Sequence, residues 1–151
     1  KEMNEVETKQ FLSEAKIGRL GICNNNIPYI VPVLFVYIKE IETIYVHSAK
    51  KGRKINIIEI NPNVCFETDE MSIITVGKLP CNNIVIYRSV IVFGEASFIN
   101  DTKVKANVLN MLLKKYVNNL KGKLVAPEMT NNTKVIMIKI TSKTGKQNKK
   151  A

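Results

Sequence analysis

The sequence predicts an α+β domain dominated by a small barrel of about six mainly antiparallel strands with flanking helices. Two observations lead there. Apolar runs rich in Val, Ile, Tyr and Phe are separated by short polar turns, the pattern of hairpin-connected strands. Helical segments stand at the start, in the middle and near the end rather than alternating with strands, which argues against a doubly wound parallel sheet. No G-x-G-x-x-G and no internal repeat occur.

Taken in order, Asn4 followed by Glu7 resembles a capping box. Val6, Phe11, Leu12 and Ala15 then share a helical face, so Glu5 to Ala15 reads as an amphipathic helix. Ile17 to Cys23 is a strand and Asn24-Asn25-Asn26 a hairpin turn. Ile27 to Ile38 reads as one long strand interrupted by Pro28 and Pro32. Proline cannot donate to a ladder, so this strand belongs at an edge or is bulged near Pro32, where freed backbone groups can meet a ligand. Thr43 to His47 is a third strand, and Arg53 to Ile60 a short helix ended by Asn61-Pro62. Asn63 to Thr68 is strand-like, Met71 to Gly77 can extend the sheet, and residues 78–83 form a loop. A long strand runs from Ile84 to Ile99 with Gly94 as a bulge or bend. Asp101 caps a helix whose Val104, Val108, Leu109, Leu112, Leu113 and Tyr116 share one face. Lys121 to Thr133 is irregular, and Val135 to Ile140 closes the sheet.

The 151 residues suit one domain, expected over 1–141, with a core that needs no staples. The net charge of +10 invites a nucleic-acid reading, but Lys143, Lys146, Lys149 and Lys150 crowd the last nine residues. Residues 142–151 are therefore expected to be a basic, flexible tail, and the other charges form no single basic helix face. Cys23, Cys65 and Cys81 are odd in number, without C-x-x-C, and there is one histidine. A zinc site or disulfide framework is not expected, and buried free thiols in a reducing cytoplasm are. No apolar run reaches the ~20 residues that span a bilayer, and the acidic-polar start is unlike a signal peptide.

The segment richest in chemistry is Tyr45-Val-His-Ser-Ala-Lys-Lys-Gly-Arg-Lys54. A strand ends in a loop holding His47, Ser48, Gly52 and four cations, Lys50, Lys51, Arg53 and Lys54, and a helix begins at once. Strand, small-and-basic loop and helix start build an anion site from open N–H groups, the helix dipole and cationic side chains. His47 stands at the strand end as the candidate catalytic or ligand-contacting group. No G-x-S-x-G elbow, P-loop or RNA-stacking aromatic platform is present. The acidic pairs Glu40/Glu42 and Glu67/Asp69 read as turn and strand surface.

Longer stretches then align with a known family: Gly18-Arg-Leu-Gly-Ile-Cys23, Pro28-Tyr-Ile-Val-Pro-Val-Leu-Phe-Val-Tyr37, Ile44 to Lys54, Asn61-Pro-Asn-Val-Cys-Phe66 and Tyr87-Arg-Ser-Val-Ile-Val-Phe-Gly94. Over nearly its whole length the chain resembles the pyridoxamine 5′-phosphate oxidase-like, FMN-binding split-barrel proteins, in the branch that includes nitroimidazole-resistance proteins. The resemblance implies a six-stranded split barrel, a homodimer and FMN at the subunit interface. It implies that His47, Ser48, Lys51, Gly52, Arg53 and Lys54 surround the ribityl phosphate and flavin edge, with Lys50 the alternative to Lys51. The backbone of Pro32, Val33, Leu34 and Phe35 would follow the flavin ring. The oxidase's Arg-Leu-x-Pro segment has no counterpart here, so pyridoxamine phosphate is not the expected substrate. Split barrels accept FMN, a deazaflavin or haem.

The resulting expectation is an FMN-dependent oxidoreductase passing electrons from a reduced nicotinamide or other donor to a small electron-poor acceptor, nitro-aromatics among the candidates, with His47 contacting substrate or flavin. The alternatives are a flavin-binding storage or sensing protein without turnover, and a basic nucleic-acid-associated protein. No membrane partner and no metal are expected.

Overall fold

The computed structural model describes residues 1–75 and 84–148, with side chains described outside 72–84. Seven strands form one antiparallel sheet: β1 (Gly18–Asn24), β2 (Ile27–Val33), β3 (Phe35–Ile38), β4 (Thr43–Ala49), β5 (Asn63–Thr75), β6 (Ile84–Ile99) and β7 (Thr133–Asn148). Their order is β2-β1-β5-β6-β7-β4-β3. Helices α1 (Glu5–Glu14), α2 (Arg53–Ile60) and α3 (Thr102–Tyr116) flank the sheet, and a 3-10 helix spans Pro127–Asn132. This is the α+β split barrel that the sequence predicts, with one strand more than six.

The extra strand comes from the run Ile27 to Ile38. It is not one strand: it breaks at Leu34, and its halves lie at opposite ends of the sheet. β2 pairs with β1, and β3 pairs with β4. Both prolines fall on β2, an edge strand, where a missing N–H costs no inner ladder bond. The turn before it uses Asn25 and Asn26 at φ 50° and 61°, the left-handed pair that a tight hairpin needs.

Inward residues of alternating strands fill the barrel: Leu20 and Ile22, Ile44 and Val46, Val64 and Phe66, Val90 and Val92, Ile136 and Ile138. Phe35 meets Phe66 edge-on, with ring centroids 4.7 Å apart. Phe11 and Leu12 of α1, and Ile55, Ile57 and Ile58 of α2, join the same core. A second cluster lies on the other side of β4 and β7, where Tyr45 and Val135 pack under Val108 and Leu112 of α3. Coverage on both faces explains why Thr43 to Val46 is buried without alternation.

The capping box of α1 is present: Glu7 N–H donates to Asn4 Oδ1 at 2.9 Å, and Asn4 N–H donates to Glu7 Oε2 at 3.1 Å. Val6 and Val104, expected on buried faces, are exposed in the first turns of their helices, and Phe93 is exposed on the sheet. Cys23 and Cys65 are half-buried rather than buried. Cys81 and the loop at 78–83 lie outside the described residues. Glu42 is the main polar tie, accepting from Lys9 (2.6 Å), Lys143 (2.9 Å) and the Tyr37 hydroxyl (3.1 Å).

The expected basic tail is corrected through Asn148. β7 continues there, pairing Lys143 with Val92 and Lys146 with Ser89. Gly145 and Gln147 face inward between outward Thr144, Lys146 and Asn148, a period-two pattern masked by the lysine content. Met3 N–H also donates to Gly145 C=O at 2.9 Å. No helix among the described residues is long and apolar enough to cross a membrane.

The expected irregularity at Gly94 is a register shift between Phe93 and Gly94, where β6 pairs first with Ser142 and then with Ile140. A Cβ there would stand 2.6 Å from Lys139 O and 2.9 Å from Ile138 Cγ2. A backbone oxygen cannot rotate away, so Gly94→Ala should lower stability by about 1–3 kcal/mol, read as a shifted urea midpoint at unchanged slope.

Candidate functional site

The site begins where β4 leaves the sheet. The ladder to β7 holds His47 opposite Val135, Ser48 opposite Lys134 and Ala49 opposite Thr133, so the strand runs two residues beyond the expected His47. Alternation puts His47 on the face of Tyr45, the one α3 covers. The turn then closes through Gly52 at φ 143°, a conformation that L side chains rarely adopt. Arg53 starts α2, as the sequence predicts.

That helix starts without help. Gly52 is its N-cap, no side chain caps it, and its first turn holds no acidic residue. The first intrahelical bond runs from Asn56 N–H to Gly52 C=O at 3.1 Å. The amides of Arg53, Lys54 and Ile55 precede that bond and are left for an outside acceptor. Ion pairs elsewhere engage Lys9, Arg19, Arg88, Lys134 and Lys143. None of the described ion pairs uses Lys50, Lys51, Arg53 or Lys54. Cations without counter-charges beside open amides form an anion-binding end.

Two of the four cations are held in place. Arg53 lies over the Tyr29 ring, 4.6 Å from its centroid. Lys54 is half-buried, and burial lowers its pKa. Lys50 and Lys51 are both exposed, so nothing in their placement chooses between them. A polar pocket of about 440 Å³ opens beside Gly52 and Arg53, lined also by Asn24, Asn25 and Asn56. His47 is exposed at the end of β4, and the partial covering of its ring, and next the nearby Lys54 charge, hold its pKa below the usual histidine value.

The second candidate group, Pro32 to Phe35, forms the link between the sheet's two ends. Pro32 and Leu34 are exposed, while Val33 and Phe35 point into the core. Phe35 pairs with Val46, which leaves Leu34 beside His47 one step beyond the ladder. Both line an apolar cavity of about 230 Å³ with Leu109, Leu112, Leu113, Tyr116, Val117 and Val125. The fold therefore joins Leu34 to His47 in one cavity, and Gly52 to Arg53 in another.

Several contributors escape sequence reasoning. Tyr29 sits on an edge strand and meets Arg53 only because α2 packs back onto the hairpin. Tyr116 lies 69 positions from His47 in the chain, and its hydroxyl accepts from Phe35 N–H at 3.0 Å. The helical period of α3 marked its apolar face but not the cavity along it. No group of His, Cys, Asp and Glu side chains among the described residues could hold a metal.

Comparisons with known proteins give the family and the fold. The profile of the pyridoxamine 5′-phosphate oxidase family matches residues 4–147. A candidate 5-nitroimidazole antibiotic resistance protein from Bacteroides thetaiotaomicron superposes with a TM-score of 0.81 at 23% identity, over 96% of this chain and 85% of that one. A FAD-binding protein from Mesorhizobium loti gives 0.72 at 22% identity, over 99% and 98%. The FAD and heme binding protein of Mycobacterium smegmatis gives 0.83 at 12% identity, over 97% and 72%. At these identities the likeness is one of fold. The search of curated proteins found no match.

Because the chain has one histidine, its ring protons report a single titration. The midpoint should lie below 6.5, and Lys54→Met, which keeps the bulk and removes the charge, should raise it. The folded pKa lies below the unfolded one, so protonation opposes folding. The His47 contribution should therefore weaken stability as pH falls through 6.5 and level off below the folded midpoint.

Proposed function

Because the chain belongs to the pyridoxamine 5′-phosphate oxidase family, we propose that it is an FMN-binding oxidoreductase that reduces a small electron-poor acceptor, nitro-aromatics included. The observation that carries this reading is the uncapped start of α2 ringed by cations that no described carboxylate neutralises. The donor set fits a phosphate monoester. The amides of Arg53, Lys54 and Ile55 and the cations Arg53, Lys54 and Lys50 or Lys51 would hold the phosphate, with Ser48 as the proposed further donor. The main chain of Pro32 to Phe35 would run along the ring, within the same seam.

When bound, a flavin supplies the hydride and electron transfer. The chain's own residues bind, orient and exclude water. Lys54 and Arg53 neutralise the phosphate, and the Tyr29 ring keeps Arg53 oriented. His47, uncharged at neutral pH by the direction of its shift, offers one N–H and one lone pair at the apolar cavity. A reduced nicotinamide or similar donor is the proposed electron source. No described carboxylate orients His47, and this supports a second reading, a flavin carrier or sensor without turnover.

The proposed assembly is a homodimer with the flavin at its interface. An outward row of Ile30, Gly21, Cys65 and Phe93 crosses four adjacent strands. Ile30 is 66% and Phe93 55% exposed, and between them lies an apolar groove of about 520 Å³. A water-facing apolar groove of that size supports contact with a second copy. Free thiols at Cys23 and Cys65 support a cytoplasmic location.

Purified protein should take up FMN with the visible spectrum of a bound flavin. Arg53→Ala with Lys54→Ala should weaken FMN by about tenfold to a hundredfold per lost charge-assisted contact and leave riboflavin nearly unchanged. Equal losses would place the phosphate elsewhere. Anaerobic mixing with NADH or NADPH should bleach the flavin, and failure with every donor would favour the carrier. In sedimentation velocity, Ile30→Glu with Phe93→Glu should turn a dimer into a monomer and release FMN.

A further inference from the structure

We propose that the apolar cavity between α3 and the β3–β4 edge is the acceptor's own pocket, taking an uncharged single-ring molecule with one hydrogen-bonding group held by His47. Calling the occupant an acceptor rests on the flavin reading above; the pocket and its ligand class do not.

Size and lining define the class. The cavity holds about 230 Å³, and an apolar cavity of about 150 Å³ already accepts benzene. A ring with one substituent fits, and the single unengaged polar side chain of the lining gives that substituent one hydrogen-bonding partner. Seven of the eight lining side chains are aliphatic or Tyr116, whose hydroxyl is already engaged by Phe35. His47 is the eighth, and no described residue hydrogen-bonds its ring. Set against these walls a charged group would lose water with no partner in the aliphatic lining, so the pocket favours an uncharged ring.

The walls are fixed before any ligand arrives. Asn110 on α3 donates to Val125 C=O at 3.0 Å and accepts from Val125 N–H at 2.8 Å, which ties the segment after α3 to the helix. The buried Lys105 ammonium donates to Thr130 C=O at 2.8 Å and holds the following 3-10 helix. The Tyr116 hydroxyl fixes the opposite wall at Phe35. The polar pocket takes Gly52 and Arg53 after β4, and this apolar one takes His47 on β4, with no lining residue shared. A phosphate belongs in the first and an uncharged ring in the second.

The test uses the full chain, read through the His47 Cε1 proton by NMR, with nitrobenzene as probe and benzoate as the charged control. Nitrobenzene should shift the resonance saturably with and without FMN, and benzoate should not. Leu113→Phe and Val117→Trp, which narrow the cavity from two sides, should each weaken nitrobenzene by about tenfold or more while FMN affinity stays unchanged. No shift up to the solubility of nitrobenzene, an equal response to benzoate, or indifference to both variants would overturn the pocket. Loss of nitrobenzene binding on adding FMN would overturn it as well, by showing that the flavin ring fills the space. If FMN does not bind at all, the flavin reading and the acceptor role fall together, and the nitrobenzene shift still decides whether the pocket and its ligand class stand.

Discussion

The barrel depends on how one residue, Phe35, is held at its seam. The sheet order puts β2 and β3 at opposite ends, yet only Leu34 separates them in sequence. Closing the sheet leaves backbone groups with no neighbouring strand, and each such group costs about 1–3 kcal/mol if buried unpaired. A single phenol resolves this. Tyr116 Oη accepts from Phe35 N–H at 3.0 Å and lies 2.8 Å from Phe35 C=O and 2.9 Å from Lys16 C=O, donating its one proton to either. Burial raises the Tyr116 pKa, opposed by the Phe35 backbone bond, which keeps the group a phenol able both to give and to accept. The ring of the same residue walls the apolar cavity, so barrel closure and pocket shape share one side chain.

The seam also carries an unusual ammonium. Lys115 Nζ is buried 4.0 Å from the Phe35 ring centroid and has no hydrogen-bond partner among the described residues. Burial, and next Lys16, bring its pKa down to about 8. The ring face offsets part of the desolvation. With no accessible surface at Nζ, the ammonium is closed to ligands.

Local chemistry was legible where the cause was local. The Asn4–Glu7 box, the limits of α2, the Gly94 shift and the edge placement of Pro28 and Pro32 follow from neighbours in the chain. The break at Leu34 was not legible, because both flanks read as strand and the partners that separate them lie far away in sequence. The lysine-rich end concealed β7 for a related reason: composition outweighed a period-two pattern whose inward members are Gly145 and Gln147. In the site, residue types alone identified the basic turn, yet Tyr29 and Tyr116 enter it through tertiary packing. Helical periodicity on α3 was correct about an apolar face but could not separate buried Val108 from Leu109 and Leu113, which border a space.

The uncompensated cations of the β4–α2 turn have a kinetic meaning as well as an equilibrium one. Arg19, Arg88, Lys134 and Lys143 are matched by carboxylates within a few ångströms, so their fields cancel at short range. Around Gly52 the cationic fields do not cancel, and the open end of α2 adds to them. An approaching anion therefore feels a directed pull before contact, over roughly the 8–10 Å that physiological salt permits. Arrival at this turn should slow steeply as ionic strength rises, while departure, governed by the short-range hydrogen bonds, changes little.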